Sequence, residues 1–188
     1  MSNALSSESA EINLNRPLLA SLEGLTRLGS ATLYEDDIFE ILDHIPLLED
    51  LNRSEISQLC ARMECFSAKR GDIVTGEDEE GDFLGIVLTG EVAVHKRGQD
   101  GREKQLAVIG PGTSFGELSL IDGKPRFATC VAMEPTDIAI LTRDSIFDIL
   151  VLNPSLGSKL LLLFLQSTSQ RLRETSERLV TFLGGPND

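Results

Sequence analysis

The sequence predicts an α+β fold, an antiparallel β-roll flanked by N-terminal helices and by one long C-terminal helix. Three observations carry that reading. Apolar residues are spaced helically up to about residue 65, as in strands from about 66 to 142, and helically again after Asp144. Within the middle stretch, short β-favouring runs alternate with turn signals at close intervals, as many short antiparallel strands require. Beyond Asn153-Pro154 the apolar residues return at three- and four-residue spacing over one long run.

Residues 1 to about 15 are rich in Ser, Asn and Glu and offer little to bury, so a tail is expected there. Leu18, Leu22, Leu25 and Leu28 recur at helical spacing and predict a short amphipathic helix from Pro17 to Leu28, which either packs on the domain or docks a partner. Ile38, Ile41, Leu42 and Ile45 predict a second helix from Asp36, ended by Pro46. Asn52 and Glu55 stand at capping-box spacing and open a third, with Ile56, Leu59 and Met63 on its apolar side.

Strands are expected over Phe83 to Leu88, Val92 to His95, Gln105 to Ile109, Thr129 to Ala132 and Asp137 to Leu141. Their turns are Arg70-Gly71-Asp72, Glu80-Gly81-Asp82, Gly90, Gly98 to Gly101 and Gly110-Pro111-Gly112. Helices follow from Ile146 to Leu152 and from about Leu156 to Phe182, the last closing at Gly184-Gly185-Pro186. The chain thus divides into an N-terminal extension, residues 1–35, and one domain with its C-terminal helix, residues 36–188.

The 188 residues suit one well-buried domain, and 41% apolar with 25% charged residues is a globular balance. The formal charge of -13 argues against nucleic acid, whose binding depends on neutralising phosphates with Lys and Arg. An anionic small ligand would need a strong local positive site to hold against that field. Cys60, Cys65 and Cys130 are odd in number and lack CxxC spacing, so neither a disulfide framework nor a zinc site is expected. No export signal and no membrane-length apolar run is present, and a cytoplasmic protein without membrane insertion is expected. His44 and His95 lie far apart and form no cluster with Asp, so neither an enzyme nor a metal site is expected.

Chemistry concentrates in Phe115-Gly116-Glu117-Leu118-Ser119-Leu120-Ile121-Asp122-Gly123-Lys124-Pro125-Arg126-Phe127-Ala128-Thr129. A short helical turn after the Gly110-Pro111-Gly112 corner would present the amides of Gly116 to Ser119 together as donors for an anion. Arg126 follows a proline-containing loop and can bring a planar fork onto the same anion. Glu117 is an acceptor suited to a sugar hydroxyl, and a sugar hydroxyl beside a phosphate means a nucleotide. The competing reading pairs Glu117 with Arg126 as an ion pair within a tight loop.

This segment resembles the phosphate-binding cassette of the cyclic-nucleotide-binding domain family. Gly71-Asp72-Ile73-Val74 and the run from Gly81 to Val92 are similar to that family's earlier strands and glycine corners, so the resemblance covers roughly residues 45 to 182. It implies a roll of double-stranded β-helix or jelly-roll type, with Glu117 on the ribose, Gly116 to Ser119 donating amides and Arg126 on the phosphate. Phe115, Leu118, Phe127 and Ala128 complete the expected ligand-binding segment. Arg171-Leu172-Arg173-Glu174-Thr175-Ser176-Glu177-Arg178 is similar to the long helix of the bacterial catabolite activator proteins, which makes Thr175 and Ser176 base-contact candidates across a dimer. The alternative for that pair is ordinary solvated helix surface.

One position departs from the family pattern. Phe127 stands where the residue after the cassette Arg is Ala, Ser or Thr, and it either crowds the pocket or turns into the roll as core. The resemblance implies cAMP as ligand, with cGMP and cyclic di-GMP as alternatives, no cofactor, and signalling through an unidentified effector protein. A degenerate fold serving as an interaction scaffold is the competing function. No DNA-binding module is expected, because only residues 184–188 follow the long helix. Leu165, Leu172 and Leu179 recur every seven residues, each preceded at four by Leu161, Thr168 or Thr175. That seam would suit a homodimer or, alternatively, packing on the chain's own roll.

Overall fold

The computed structural model describes residues 22–43 and 51–183. Among the described residues nine strands form two antiparallel sheets. One runs β1(Thr26–Ser30), β2(Glu64–Ala68), β9(Thr136–Thr142), β4(Phe83–Thr89), β7(Ser114–Phe115), and the other β3(Ile73–Thr75), β8(Thr129–Ala132), β5(Val92–Arg97), β6(Glu103–Ile109). The sheets close on a core of Phe66, Val74, Phe83, Val87, Val92, Phe115, Ile138 and Ile140. Every strand expected from the sequence is present. A second cluster, including Ile38, Ile56, Leu59, Leu84, Leu141, Ile149, Leu156 and Leu160, joins the roll to α1(Glu35–Asp43), α2(Arg53–Cys60), α4(Arg143–Leu152) and α5(Pro154–Leu183).

The helix expected over Pro17 to Leu28 is corrected by the structure within its described part. Thr26 to Ser30 is instead a strand, paired with β2 from Thr26 opposite Ser67 to Ser30 opposite Glu64, with a register shift between Arg27 and Gly29, whose φ is 110°. Leu22 is buried in the roll core, where Leu25 also packs, whereas Leu28 packs on the helix cluster. The leucines therefore serve two cores rather than one helix face. Strand β2 needs an edge partner, and that tertiary demand overrides a short periodic signal. Residues 17–21, along with His44, Pro46 and Gly184 to Pro186, lie outside the described residues.

Local chemistry explains the helix ends. The Asn52 side chain accepts from the Glu55 N–H at 3.1 Å, and Glu55 Oε2 accepts from the Asn52 N–H at 2.9 Å, completing the capping box. Lys159 adds a 2.8 Å ion pair to the same carboxylate and so ties α5 to α2. Thr142 caps α4, and Asn153 breaks the chain before α5 while its Oδ1 accepts from the Leu156 N–H at 3.2 Å. Immediately beyond, α4 and α5 cross so closely that a Cβ on Gly157 would lie 2.8 Å from the Leu150 Cα.

Past Phe164 the long helix leaves the core. Leu165, Leu172 and Leu179 are all exposed, so this stripe does not pack on the chain's own roll. The three cysteines are free and buried, as small core residues. Burial pushes the Cys60 thiol up to about 12 and the Cys65 thiol up to about 11, which keeps both protonated near neutral pH. Among the described residues no helix is long and apolar enough to cross a membrane.

Candidate functional site

The site begins at a hairpin-like return. Gly112 N–H donates to Val87 O at 2.8 Å and Val87 N–H to Thr113 O at 3.1 Å, which brings β7 against β4. At Gly85 a Cβ would sit 2.2 Å from the Phe115 ring, so the absent side chain lets that ring lie flat in the core. Gly116, at φ 81°, then turns the chain into α3(Glu117–Asp122), and Gly123, at φ 69°, ends it. A six-residue helix so placed carries Glu117 and Ser119 inward, both buried, with Leu118 outward and partly exposed.

Arg126 returns to this turn from the far end of the loop. Its backbone is held on both sides, its N–H donating to Glu79 O at 2.7 Å and its carbonyl accepting from Asp78 N–H at 2.9 Å. The guanidinium is only 3% exposed, lies 4.2 Å from the Phe83 ring centroid, and donates from Nη1 to Gly116 O at 2.8 Å. Burial lowers its pKa from the ordinary value, with Cys130, Asp82, Glu117 and Glu79 acting in the opposite sense. It stays charged, as a guanidinium does in proteins. Its Nη2 has no acceptor among the described residues.

Glu117 is the complementary case, 1% exposed, with Oε1 engaged and Oε2 without a partner among the described residues. Oε1 accepts from Arg171 Nη1 of α5, and Arg171 Nη2 donates to Ser114 O. Hence the expected alternative of a tight-loop ion pair between Glu117 and Arg126 does not form. The carboxylate pairs instead with a residue 54 positions onward. Arg171 is the residue of this candidate site to which the sequence alone assigns no role. Its signal was only its position heading the helical segment that carries Thr175.

Phe115 to Ser119, Arg126, Phe127, Ala128 and Thr175 line a single cavity of about 940 Å³, near the upper end for ligand pockets. Ser176 does not line it: the residue is exposed and its Oγ donates to Leu172 O at 2.8 Å. A helix directs adjacent side chains about 100° apart, so Thr175 and Ser176 cannot both face the same wall of one chain. Phe127 is 54% exposed and is not core, which removes that alternative. Its ring lies 4.7 Å from Lys96 Nζ, and Lys96 is held by Glu77 at 2.7 Å. At the far wall Arg178 donates to Leu106 O at 2.7 Å, closing α5 onto β6.

Known proteins share both the segment and the architecture. The family model described as the cyclic nucleotide-binding domain matches residues 65–153. A cyclic nucleotide-binding domain from Methylobacillus flagellatus KT is 39% identical, with a TM-score of 0.79, and the match covers 87% of this chain and 92% of that one. This chain belongs to the cyclic nucleotide-binding domain family.

Two further relatives define its reach. A CRP-like cAMP-activated global transcriptional regulator of Mycobacterium tuberculosis is 30% identical over 144 residues, covering 77% of this chain and 62% of the regulator. A cAMP-dependent protein kinase regulatory subunit of Aspergillus niger is 29% identical over 132 residues, covering 66% of this chain and 31% of the subunit. The chain therefore spans under two thirds of either relative's length. Both relatives are regulators by name. Within this cyclic nucleotide-binding domain, the matched segment contains the α3 turn and Arg126, while Arg171 and Thr175 stand outside it on α5. The domain thus offers one buried cation, one half-satisfied carboxylate and a row of amides in a cavity closed by a helix.

Proposed function

We propose that this domain is a sensor that holds a cyclic nucleotide, cAMP first, in the cavity beneath α5. The observation that carries the reading is a matched pair of buried, unpartnered atoms: Arg126 Nη2, a charged donor, and Glu117 Oε2, an acceptor. Leaving such groups unpaired costs on the order of 1 to 3 kcal/mol each, so a ligand that satisfies both is favoured. A cyclic phosphate accepts from Arg126 and from the amides of Gly116 to Ser119, and a ribose hydroxyl donates to Glu117. Thr175 faces the base from α5, and Phe127 borders the ligand beside Arg126. The choice of cAMP leans on the cAMP-activated regulator and the cAMP-dependent kinase subunits among the relatives.

Calorimetric titration with cAMP, cGMP and cyclic di-GMP tests the proposal. Saturable binding of cAMP at one ligand per chain is expected, weaker or absent for the other two. Cyclic di-GMP binding in place of cAMP would change the ligand. Silence from all three at millimolar concentration would leave only the interaction scaffold.

Output passes through a partner protein in the cytoplasm, with residues 36–188 as the sensing domain and residues 1–35 as an extension whose β1 joins one of its sheets. The exposed leucine stripe of α5 fits pairing with a second copy. Sedimentation of the cAMP-loaded protein is expected to give twice the chain mass, and Leu172→Glu to return it to the monomer. A loaded monomer would refute the pairing.

A further inference from the structure

We infer that the Phe127 ring is a stacking platform for the base, a specificity-determining residue that favours a bicyclic purine over a monocyclic pyrimidine. The inference rests on the sensor reading above. Phe127 lines the cavity next to Arg126, yet its side chain is 54% exposed instead of being packed as core. Lys96 Nζ lies over one face of the ring, 4.7 Å from its centroid, and Lys96 itself does not line the cavity. The ring therefore stands between the lysine and the cavity, with its second face turned to the ligand space.

A singly exposed aromatic is ordinary on a protein surface, but the surroundings of this one are fixed. Its chain neighbours are anchored on both sides. Arg126 is clamped by Asp78 and Glu79 through its backbone, and Thr129 Oγ1 accepts from the Glu77 N–H at 3.0 Å. The Glu77 carboxylate in turn accepts from Lys96 Nζ at 2.7 Å and from the Arg97 N–H at 2.9 Å. A cation so anchored restrains the ring, and less rotamer freedom is lost when a base is laid on the open face. Phenylalanine offers that base neither donor nor acceptor, so it reads the area of a flat surface rather than a hydrogen-bonding pattern. With the cyclic phosphate fixed at the adjacent Arg126, a purine covers more of the ring than a pyrimidine does.

The test uses the whole chain as wild type, Phe127→Ala and Phe127→Trp, titrated by calorimetry with cAMP and with cyclic CMP and checked by thermal unfolding. Wild type is expected to prefer cAMP. Phe127→Ala is expected to unfold as wild type does, to lose roughly tenfold in cAMP affinity and to lose less for cyclic CMP, so that the preference narrows. The chain has no tryptophan, so Phe127→Trp creates a single reporter, whose emission is expected to be quenched as cAMP saturates. Should the Ala variant unfold, Phe127→Leu, which keeps apolar bulk without a flat face, is expected to show the same narrowing. Equal wild-type affinity for the two nucleotides overturns the inference alone. So does an Ala or Leu variant within about twofold of wild type for cAMP, or one that loses both nucleotides equally. A Trp variant that fails to bind cAMP, or binds it with unchanged emission, overturns it as well. A wild-type chain that ignores cAMP overturns the sensor reading and this inference together.

Discussion

Replacing Arg126 by Leu weakens cAMP binding by about two orders of magnitude or more while the domain remains folded. Truncating one member of a buried charge pair costs about 2 to 5 kcal/mol, and here the missing member would face the phosphate directly. The fold survives for a separate reason. Arg126 is buried with one arm of its fork unsatisfied, so removing it also removes a desolvation cost, and Leu fills the space over the Phe83 ring. The price is the donor to Gly116 O, about 1 kcal/mol. Calorimetry and thermal unfolding on the same sample separate the two effects. Undiminished affinity would mean that the anion is held elsewhere, and wholesale unfolding would make Arg126 an architectural residue.

The second large effect comes from Gly81, which does not line the cavity. Gly81→Ala is expected to cost at least about tenfold in affinity although every ligand-facing side chain is retained. A Cβ at Gly81 would lie 2.0 Å from Arg126 Nε, 2.3 Å from Cζ and 2.8 Å from Cδ. The guanidinium cannot retreat, because it is stacked on Phe83 and bonded to Gly116 O. It must leave its aim instead. Gly71→Ala is the control: its φ of 91° makes the substitution strained, yet no atom lies within 4 Å of the new Cβ. Gly71→Ala therefore lowers the unfolding midpoint and leaves affinity near wild type. Equal affinity loss in both variants would trace the effect to general destabilisation rather than to displacement of Arg126.

Much of this architecture was legible in the residues. The turn glycines and alternating apolar runs announce the strands, since each reports a property of near neighbours: a φ that only Gly readily adopts, or one face of a pleat buried. The Asn52–Glu55 capping box is a local reciprocal hydrogen bond, and it formed as its spacing predicts. The segment from Phe115 to Ala128 is one contiguous turn and loop, so its amides and its acid are neighbours in sequence, while the clamp on the Arg126 backbone by Asp78 and Glu79 brings the arginine to them.

What lay beyond the sequence depends on how distant elements meet. Thr26 to Ser30 became a strand because β2 had an open edge, a demand set by the sheet rather than by those residues. Thr175 faces the cavity and Ser176 does not, because the docking of α5 chose one helix face. Phe127 stayed at the surface beside Lys96, a placement set by how its loop meets β5. Above all, Glu117 had two arginines of equal charge within reach of a plausible pairing. Composition could not choose between them, and the placement of one long helix gave the carboxylate to Arg171, with Arg126 Nη2 left without a partner among the described residues.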